Sequence, residues 1–329
     1  MQLSIVIICW NDANVIGDCL RSIYNGTTTT QFEVIVSDNG STDDSVQFIR
    51  RCFPQVQILE NGANLGFAKG NNAGIQQASG EFVLILNPDT IVHPGALDKW
   101  IAFAEAHPEC GAFGCRVHNR DGTYQVSARP FPTVRGYLVA ALYLRWLAYI
   151  SPAFVSDTYT GWNGNTEREV DWQSGCCLLV RGNLLRQLGG FDERFFYHFE
   201  EVDLCRRIWN SGAPIRFAPE VHITHLGGQS VGRFPVRFAI EKNRNQYRYF
   251  YKHFGEAGVR PCRLVSLLSL AIRRVGYGAL RIVRPSDALA RRLDMYRAIW
   301  DWTLRLDPVV FVTTGQEPAV FASDIAHAA

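Results

Sequence analysis

Four short apolar runs alternate with helix-like segments through the first third of this chain: LSIVIIC at 3–9, FEVIVSD at 32–38, VQILEN at 56–61 and EFVLILN at 81–87. Each is rich in Val and Ile and bounded by polar residues, the pattern of strands buried on both faces of a parallel sheet. Between the first two runs, Val15, Ile16, Cys19, Leu20 and Ile23 recur at helical spacing. Ser41 with Asp44 three residues later has the form of a capping box ahead of the next helix. This βαβαβαβ order over residues 1–117 predicts an α/β fold built on a doubly wound sheet.

Ligands of such sheets bind beyond the carboxyl ends of the strands. The segments found there are WND (10–12), SDNGSTDD (37–44), NGANLGFAKGNNAG (61–74) and NPDT (87–90), all polar and all carrying Asn, Asp or Gly. No G-x-G-x-x-G follows the first run, which argues against a dinucleotide oxidoreductase, and there is no Walker lysine loop. Asp38 either accepts the N3–H of a pyrimidine base or forms the turn of a D-N-G sequence. Pro88 ends a strand and presents Asn87 and Asp89 as hard oxygen ligands for Mg²⁺ or Mn²⁺, unless NPDT is a plain strand exit.

A second acidic cluster lies in YHFEEVDLCRR, residues 197–207, where Glu200, Glu201 and Asp203 follow a group of aromatic rings. The stretch FEEVDLCRRIWNSG reads as a helix, with Val202, Leu204, Cys205 and Ile208 on its apolar face and Gly212 just past its end. Acids in a first helical turn gain about 0.3–1 kcal/mol from the dipole, and Asp203 can pair with Arg206 or Arg207. That account leaves the rings unexplained. A carboxylate partly desolvated by Phe195, Phe196, Tyr197 and Phe199 would gain basicity, as a general base requires.

Charge is unevenly spread. Residues 1–230 hold 17 basic and 23 acidic side chains, whereas residues 231–308 hold 16 basic and only 6 acidic ones. The basic part interleaves Arg with apolar and aromatic residues, in RLVSLLSLAIRRVGYGALRIVR and ARRLDMYRAIWDWTLR, as does PFPTVRGYLVAALYLRWLAYI at 130–150. Such helices either lie in a membrane interface or pack on the body with solvated basic faces. No recognised motif supports a nucleic-acid partner. Nine scattered cysteines, without a C-x-x-C pair, read as reduced thiols of a cytoplasmic protein. LSIVIIC directly after the start reads as a buried strand and not a signal peptide, and no apolar stretch approaches the roughly 20 residues of a membrane span. The stretch from Thr313 onward reads as a poorly ordered tail.

In order, SDNGSTDDS, NLGFAKGNNAGI, NPDT, WQSGCCLLVRGNLLRQLGGFDERFFYHFEEVDLCRR and HLGGQS resemble glycosyltransferase family 2, inverting enzymes of the GT-A fold, and in particular its bacterial rhamnosyltransferase-like members. The resemblance covers roughly residues 3–255. It implies a GT-A-type mixed sheet, with a nucleotide-sugar-binding half at 1–117 and an acceptor-binding and catalytic half at 118–255; beyond it, the basic amphipathic segments read as a mostly helical module at 256–329 with a flexible tail. It further implies donor binding by Trp10, Asn11, Asp38, Gly66, Lys69, Asn72, Asn87 and Asp89, with Trp10 stacking on the base. Asn87 and Asp89 stand where the family carries D-x-D, so Asp89 becomes the principal carboxylate on the Mg²⁺ or Mn²⁺, with His225 completing the site.

Glu201 matches the second acid of the family's E-D pair, its general base, here one methylene longer. Trp172, Ser174, Gly175 and Glu200 fall to the acceptor, Trp172 as a stacking platform for a sugar ring or else as a buried anchor of its strand. The implied reaction moves a sugar, L-rhamnose by the same resemblance, from a dTDP-linked donor to a bacterial cell-surface glycan or its lipid-linked precursor, at the inner face of the plasma membrane if the enzyme is peripheral. A non-catalytic nucleotide- or glycan-binding module would share the fold without needing an acid at 201. A nucleotidyltransferase would share the sheet but has no use for FEEVD.

Overall fold

The structure is a computed structural model that describes residues 1–26, 29–227 and 235–317. All four apolar runs are strands: β1 (Leu3–Cys9), β2 (Phe32–Asp38), β3 (Gln57–Glu60) and β4 (Phe82–Leu86), parallel in the spatial order β3-β2-β1-β4. Every β4 side chain is buried, and β1 is nearly so, as unalternating apolar runs require. The register sets Cys9 beside Asp38 and Asp38 beside Glu60, which aligns the polar strand exits along one sheet edge.

Helices α1 (Ile16–Gly26), α2 (Ser45–Cys52) and α3 (Gly66–Gln77) make the crossings. The buried stripe of α1 contains Ile16, Cys19, Leu20 and Ile23, as its periodicity predicts. The capping box does not form. Asp44 occupies the N-cap of α2 without a side-chain cap bond, and Asp43 accepts the Ser45 N–H at 3.1 Å. Ser41 instead accepts the Asn11 N–H at 2.9 Å and so ties the exit of β1 to the loop after β2.

Next come β5 (Thr90–Val92), α4 (Ala96–Ala106), β6 (Ala112–His118), β7 (Tyr124–Gln125), β8 (Ala128–Arg129) and α5 (Val134–Ala141). They are followed by β9 (Arg168–Glu169), β10 (Trp172–Gln173), β11 (Cys177–Arg181), α6 (Gly182–Gln187), α7 (Glu200–Asn210) and β12 (Ile215–His225). Here the sheet becomes mixed. β11 runs antiparallel to β4, with Cys177 opposite Leu86, and antiparallel to β6 on its other side. β12 lies parallel to β6 and antiparallel to β5, with His225 opposite Thr90.

The chain divides into two compact units, one of Met1–Phe131 with Gly161–Gly227, the other of Pro132–Thr160 with the described part of Gly228–Ala329. Residues 132–160 therefore group with the C-terminal helices and not with the sheet. The second unit contains α5, α8 (Pro235–Val283), α9 (Asp287–Arg305) and α10 (Pro308–Thr314). Helix α8 bends at Gly255, which leaves helical geometry at φ 62° and ψ −153°. Tyr247 stacks on Trp302 of α9, their ring centroids 6.0 Å apart. Thr313 and Thr314 belong to α10, whose cap Asp307 accepts the Val309 N–H at 2.8 Å, so no tail starts at 313. Residues 318–329 and the last three residues of HLGGQS lie outside the described residues. Among the described residues no helix is long and apolar enough to cross a membrane. All nine cysteines are free, and eight are buried.

The acidic helix α7 begins at Glu200 and ends at the Ser211 cap, with Gly212 just beyond. Asp203 pairs with Arg207. The Arg207 Nε donates to Asp203 at 2.8 Å, while its other nitrogens donate to the carbonyls of Leu188 (2.9 Å) and Gly190 (2.6 Å). Arg206 lies over the Phe131 ring, 4.9 Å from its centroid. Asp203 is fully buried, so removing its charge leaves a clamped guanidinium with poorer compensation. Asp203→Asn is expected to cost about 3 kcal/mol, the lower end for breaking a buried pair because Arg207 is partly solvated. Urea denaturation measures it, and an unchanged midpoint would show that the clamp contributes nothing to stability.

Candidate active site

Asp38, at the end of β2, divides its two oxygens between different tasks. Its Oδ2 accepts the N–H groups of Gly40 (3.1 Å) and Ser41 (3.0 Å), so the D-N-G turn is real. Its Oδ1 is buried and has no hydrogen-bond partner among the described residues. A buried acceptor left unpaired costs about 1–3 kcal/mol, which a ligand N–H would relieve. The loop is held by its asparagines: Asn61 donates to Ser37 and to Asn39, both at 2.9 Å, and Asn39 donates to the Gly66 carbonyl at 3.1 Å. Asn11 accepts the Thr42 N–H at 2.8 Å with its side chain, from a left-handed backbone at φ 58°. Trp10 beside it is half-buried.

Two strands away, NPDT leaves β4. Asp89 Oδ1 lies 3.2 Å from His225 Nε2, and the Asn87 amide nitrogen lies 3.4 Å from the same ring atom. The other imidazole nitrogen, Nδ1, is 3.0 Å from Gln125 Oε1, which can only accept, so Nδ1 carries a proton and Nε2 faces the carboxylate. Burial opposes a charge on His225, but the hydrogen bond and charge of Asp89 outweigh it and push the pKa up to about 9. Two neighbouring ligands of an octahedral ion, each at roughly 2.1 Å, stand about 3 Å apart, so the Asp89–His225 spacing fits one divalent cation. Among the described residues no group of three or more His, Cys, Asp or Glu could hold a metal. Two protein ligands suit a cation whose remaining positions go to phosphate oxygens and water.

The opposite wall is built from β11 and α7. The Asn87 N–H donates to the Cys176 carbonyl at 2.9 Å, which fixes the SGCC segment against NPDT. A Cβ placed on neighbouring Gly175 would lie 3.3 Å from the Phe67 ring and 3.5 Å from the Glu201 Cβ. Glu200 and Glu201, both buried, occupy the first turn of α7. Before them His198 and Phe199 hold left-handed conformations at φ 67° and 73°, each costing about 1–3 kcal/mol. The Tyr197 phenol is pushed well above its ordinary pKa, by burial first and then by Glu200, Glu201 and Asp89.

Of the sequence-predicted residues, the structure brings together Asn87, Asp89, His225, Gly175, Glu200 and Glu201, with Ser174 next to Gly175. Asp38 stands on the same sheet edge, two strand spacings or about 10 Å from β4. Asn72 does something other than expected. Its amide receives the Phe191 N–H (2.8 Å) and donates to Phe191 O (2.9 Å) and Glu193 (3.1 Å), tying α3 to the loop before α7. Lys69 is exposed on α3. Trp172 is half-buried and spends its indole N–H on the Pro130 carbonyl at 2.9 Å, so it is anchored whether or not its face meets a ligand. Nothing in the sequence marks Gln125, which sits in the two-residue strand β7 outside any motif. Cys176 lay inside a quoted motif but acts through its backbone carbonyl, which side-chain chemistry does not announce.

This sheet and site define a GT-A glycosyltransferase. The family model described as Glycosyl transferase family 2 matches residues 4–155. The N-acetylglucosaminyl-diphospho-decaprenol L-rhamnosyltransferase of Mycobacterium tuberculosis is 32% identical over 259 residues, 75% of this chain and 83% of that protein. Rhamnosyltransferase WbbL of Escherichia coli K12 is 25% identical over 59% of this chain and 72% of its own. Among solved structures, the mannosyltransferase PcManGT of Pyrobaculum calidifontis, in complex with GDP-Man and Mn²⁺, matches 96% of this chain and 88% of its own with a TM-score of 0.56 at 17% identity. The chain belongs to glycosyltransferase family 2, is an enzyme of that class, and has rhamnosyltransferases among its relatives. The module without catalysis and the nucleotidyltransferase are thereby set aside.

One contact in the site is unusually exacting. Gly66 has φ 81°, and a Cβ there would fall 2.6 Å from the Phe196 ring and 2.7 Å from the Phe196 carbonyl, while the Phe67 N–H donates to that same carbonyl at 2.8 Å. A backbone oxygen cannot swing aside as a side chain can. Gly66→Ala is expected to destabilise the protein by at least about 1 kcal/mol and to loosen the turn before α7. Hydrogen exchange reads this directly, and unchanged protection at residues 195–201 would refute it.

Proposed function

We propose that this enzyme transfers L-rhamnose, with inversion, from dTDP-L-rhamnose to a lipid-linked glycan precursor of the bacterial cell surface. One observation carries the mechanism: the Gly175–Cys176 segment touches the Asp89 side of the site through Asn87 and the Glu201 side through its missing side chain. On this reading a diphosphate leaving group and a base are supported on either side of one short segment. The names of the relatives support the sugar and the lipid-linked acceptor.

Asp89 and His225 would hold a divalent cation, Mg²⁺ or Mn²⁺, which when bound screens the negative charge that develops on the leaving diphosphate. Asp38 binds the thymine by accepting N3–H at its unpaired Oδ1. Trp10 covers the base, and Ser174 with Trp172 orients the acceptor. Glu201 takes the proton from the acceptor hydroxyl as that oxygen forms a bond to the anomeric carbon. The bond from that carbon to the diphosphate oxygen breaks on the opposite face, and the electron pair leaves with the dTDP. Glu200, one residue earlier and also buried, holds the acceptor.

Two measurements test this reading, with dTDP-L-rhamnose and a polyprenyl-diphosphate-linked N-acetylglucosamine as substrates and dTDP release as the readout. Glu201→Gln keeps the size of the side chain but cannot take a proton, so kcat should fall by about 10²–10⁴ with donor affinity preserved. A variant with near-normal kcat would rule out the base. Asp38→Ala should weaken donor binding more than it slows turnover, and should narrow the preference for dTDP over GDP measured by calorimetry. Equal affinity of the unaltered enzyme for GDP and dTDP would remove the base-reading role.

A further inference from the structure

Most of α8 beyond Gly255 is packed on one face only. Val259, Cys262 and Leu270 are buried. On the other side Leu264, Leu268, Val275 and Ile282 are exposed, by 63%, 39%, 74% and 85%. Their spacings of four, seven and seven residues, at 100° per residue, keep all four within about 40° of one another, on a line about 27 Å long. An apolar stripe turned away from its own core needs another explanation than folding. The same unit exposes a second apolar group, Tyr143, Trp146, Tyr149 and Ile150, around Arg145.

Charge decides between the two partners such a stripe could take. Between residues 260 and 292 there are eight arginines and one acid, Asp287. Arg281, Arg284, Arg291 and Arg292 are exposed, the first two flanking Ile282 and Val283. Two copies of this chain joined through the stripe would bring two such clusters together. An anionic bilayer surface matches both features, since its phosphates pair with Arg while its acyl boundary takes Val, Ile and Leu, and Trp and Tyr favour that boundary.

We propose that the exposed face of α8, with the aromatic segment 143–150, docks on anionic phospholipid, holding the enzyme on a membrane surface without spanning it. The inference is separate from the transfer chemistry, because vesicle binding needs neither donor nor acceptor. Sedimentation of the full chain with phosphatidylcholine vesicles, with and without phosphatidylglycerol, tests it. Binding should require phosphatidylglycerol and weaken with salt. Arg281→Ala and Arg284→Ala should each weaken it about fivefold, the factor that corresponds to about 1 kcal/mol per basic residue at an anionic surface. Val275→Glu with Ile282→Glu should weaken it more than either arginine variant, with an unchanged melting temperature because both side chains are exposed. Trp146→Ala should act in the same direction. Absence of binding, equal binding to neutral vesicles, or binding unaffected by the glutamates overturns the proposal. A solution dimer that the same glutamates dissociate would assign the stripe to a second copy instead.

Discussion

The antiparallel pairing of β11 with β4 is the joint on which the site depends. A parallel sheet delivers only the carboxyl ends of its strands to its functional edge. Because β11 runs the other way, with Cys177 opposite Leu86, it delivers its amino end there instead. The residues that enter β11, Ser174 to Cys176, therefore meet those that leave β4, Asn87 to Asp89, and the Asn87–Cys176 hydrogen bond closes the junction. β12 extends the same logic, running parallel to β6 so that its last residue, His225, reaches Asp89. A single reversal of direction brings segments almost ninety residues apart into one site.

Side chains that look catalytic are only part of what keeps the site in shape. The loop before α7 carries two left-handed residues, His198 and Phe199, at about 1–3 kcal/mol each. Burial of Phe195 and Phe199 contributes about 1.5–3 kcal/mol apiece, enough to offset that strain only if both rings stay seated. The rings that stand before the acids therefore have a mechanical role besides any effect on basicity. They hold the turn that aims the first residues of α7, while Arg207 fastens the helix from behind through Asp203.

What could be read from sequence follows from how local its cause is. The four strands and α1 were legible because burial on both faces, or on one stripe, writes itself directly into residue spacing. The start of α7 and its end near Gly212 were legible for the same reason. The capping box was misread because α2 starts only at Ser45, which leaves Ser41 four residues ahead of it and bound to the Asn11 N–H, a long-range contact that no local pattern shows. Asn72 was read as a ligand residue from its motif, yet its amide meets a loop more than a hundred residues on. Gln125 was invisible because its meaning lies wholly in where β7 places it beside His225.

The acids at 200, 201 and 203 show why neighbouring residues of like charge need separate accounts. One helical turn points them in different directions, so that Asp203 meets Arg207 at 2.8 Å while Glu201 faces Gly175. A dipole interaction of about 0.3–1 kcal/mol would favour all three alike and cannot account for that division. Nor would it account for the absence of a side chain at 175, where even a methyl group would stand 3.5 Å from the Glu201 Cβ and 3.3 Å from the Phe67 ring. Stability explains the third acid. The second is buried beside Gly175, where no side chain crowds it, and the proposed proton transfer rests on that placement.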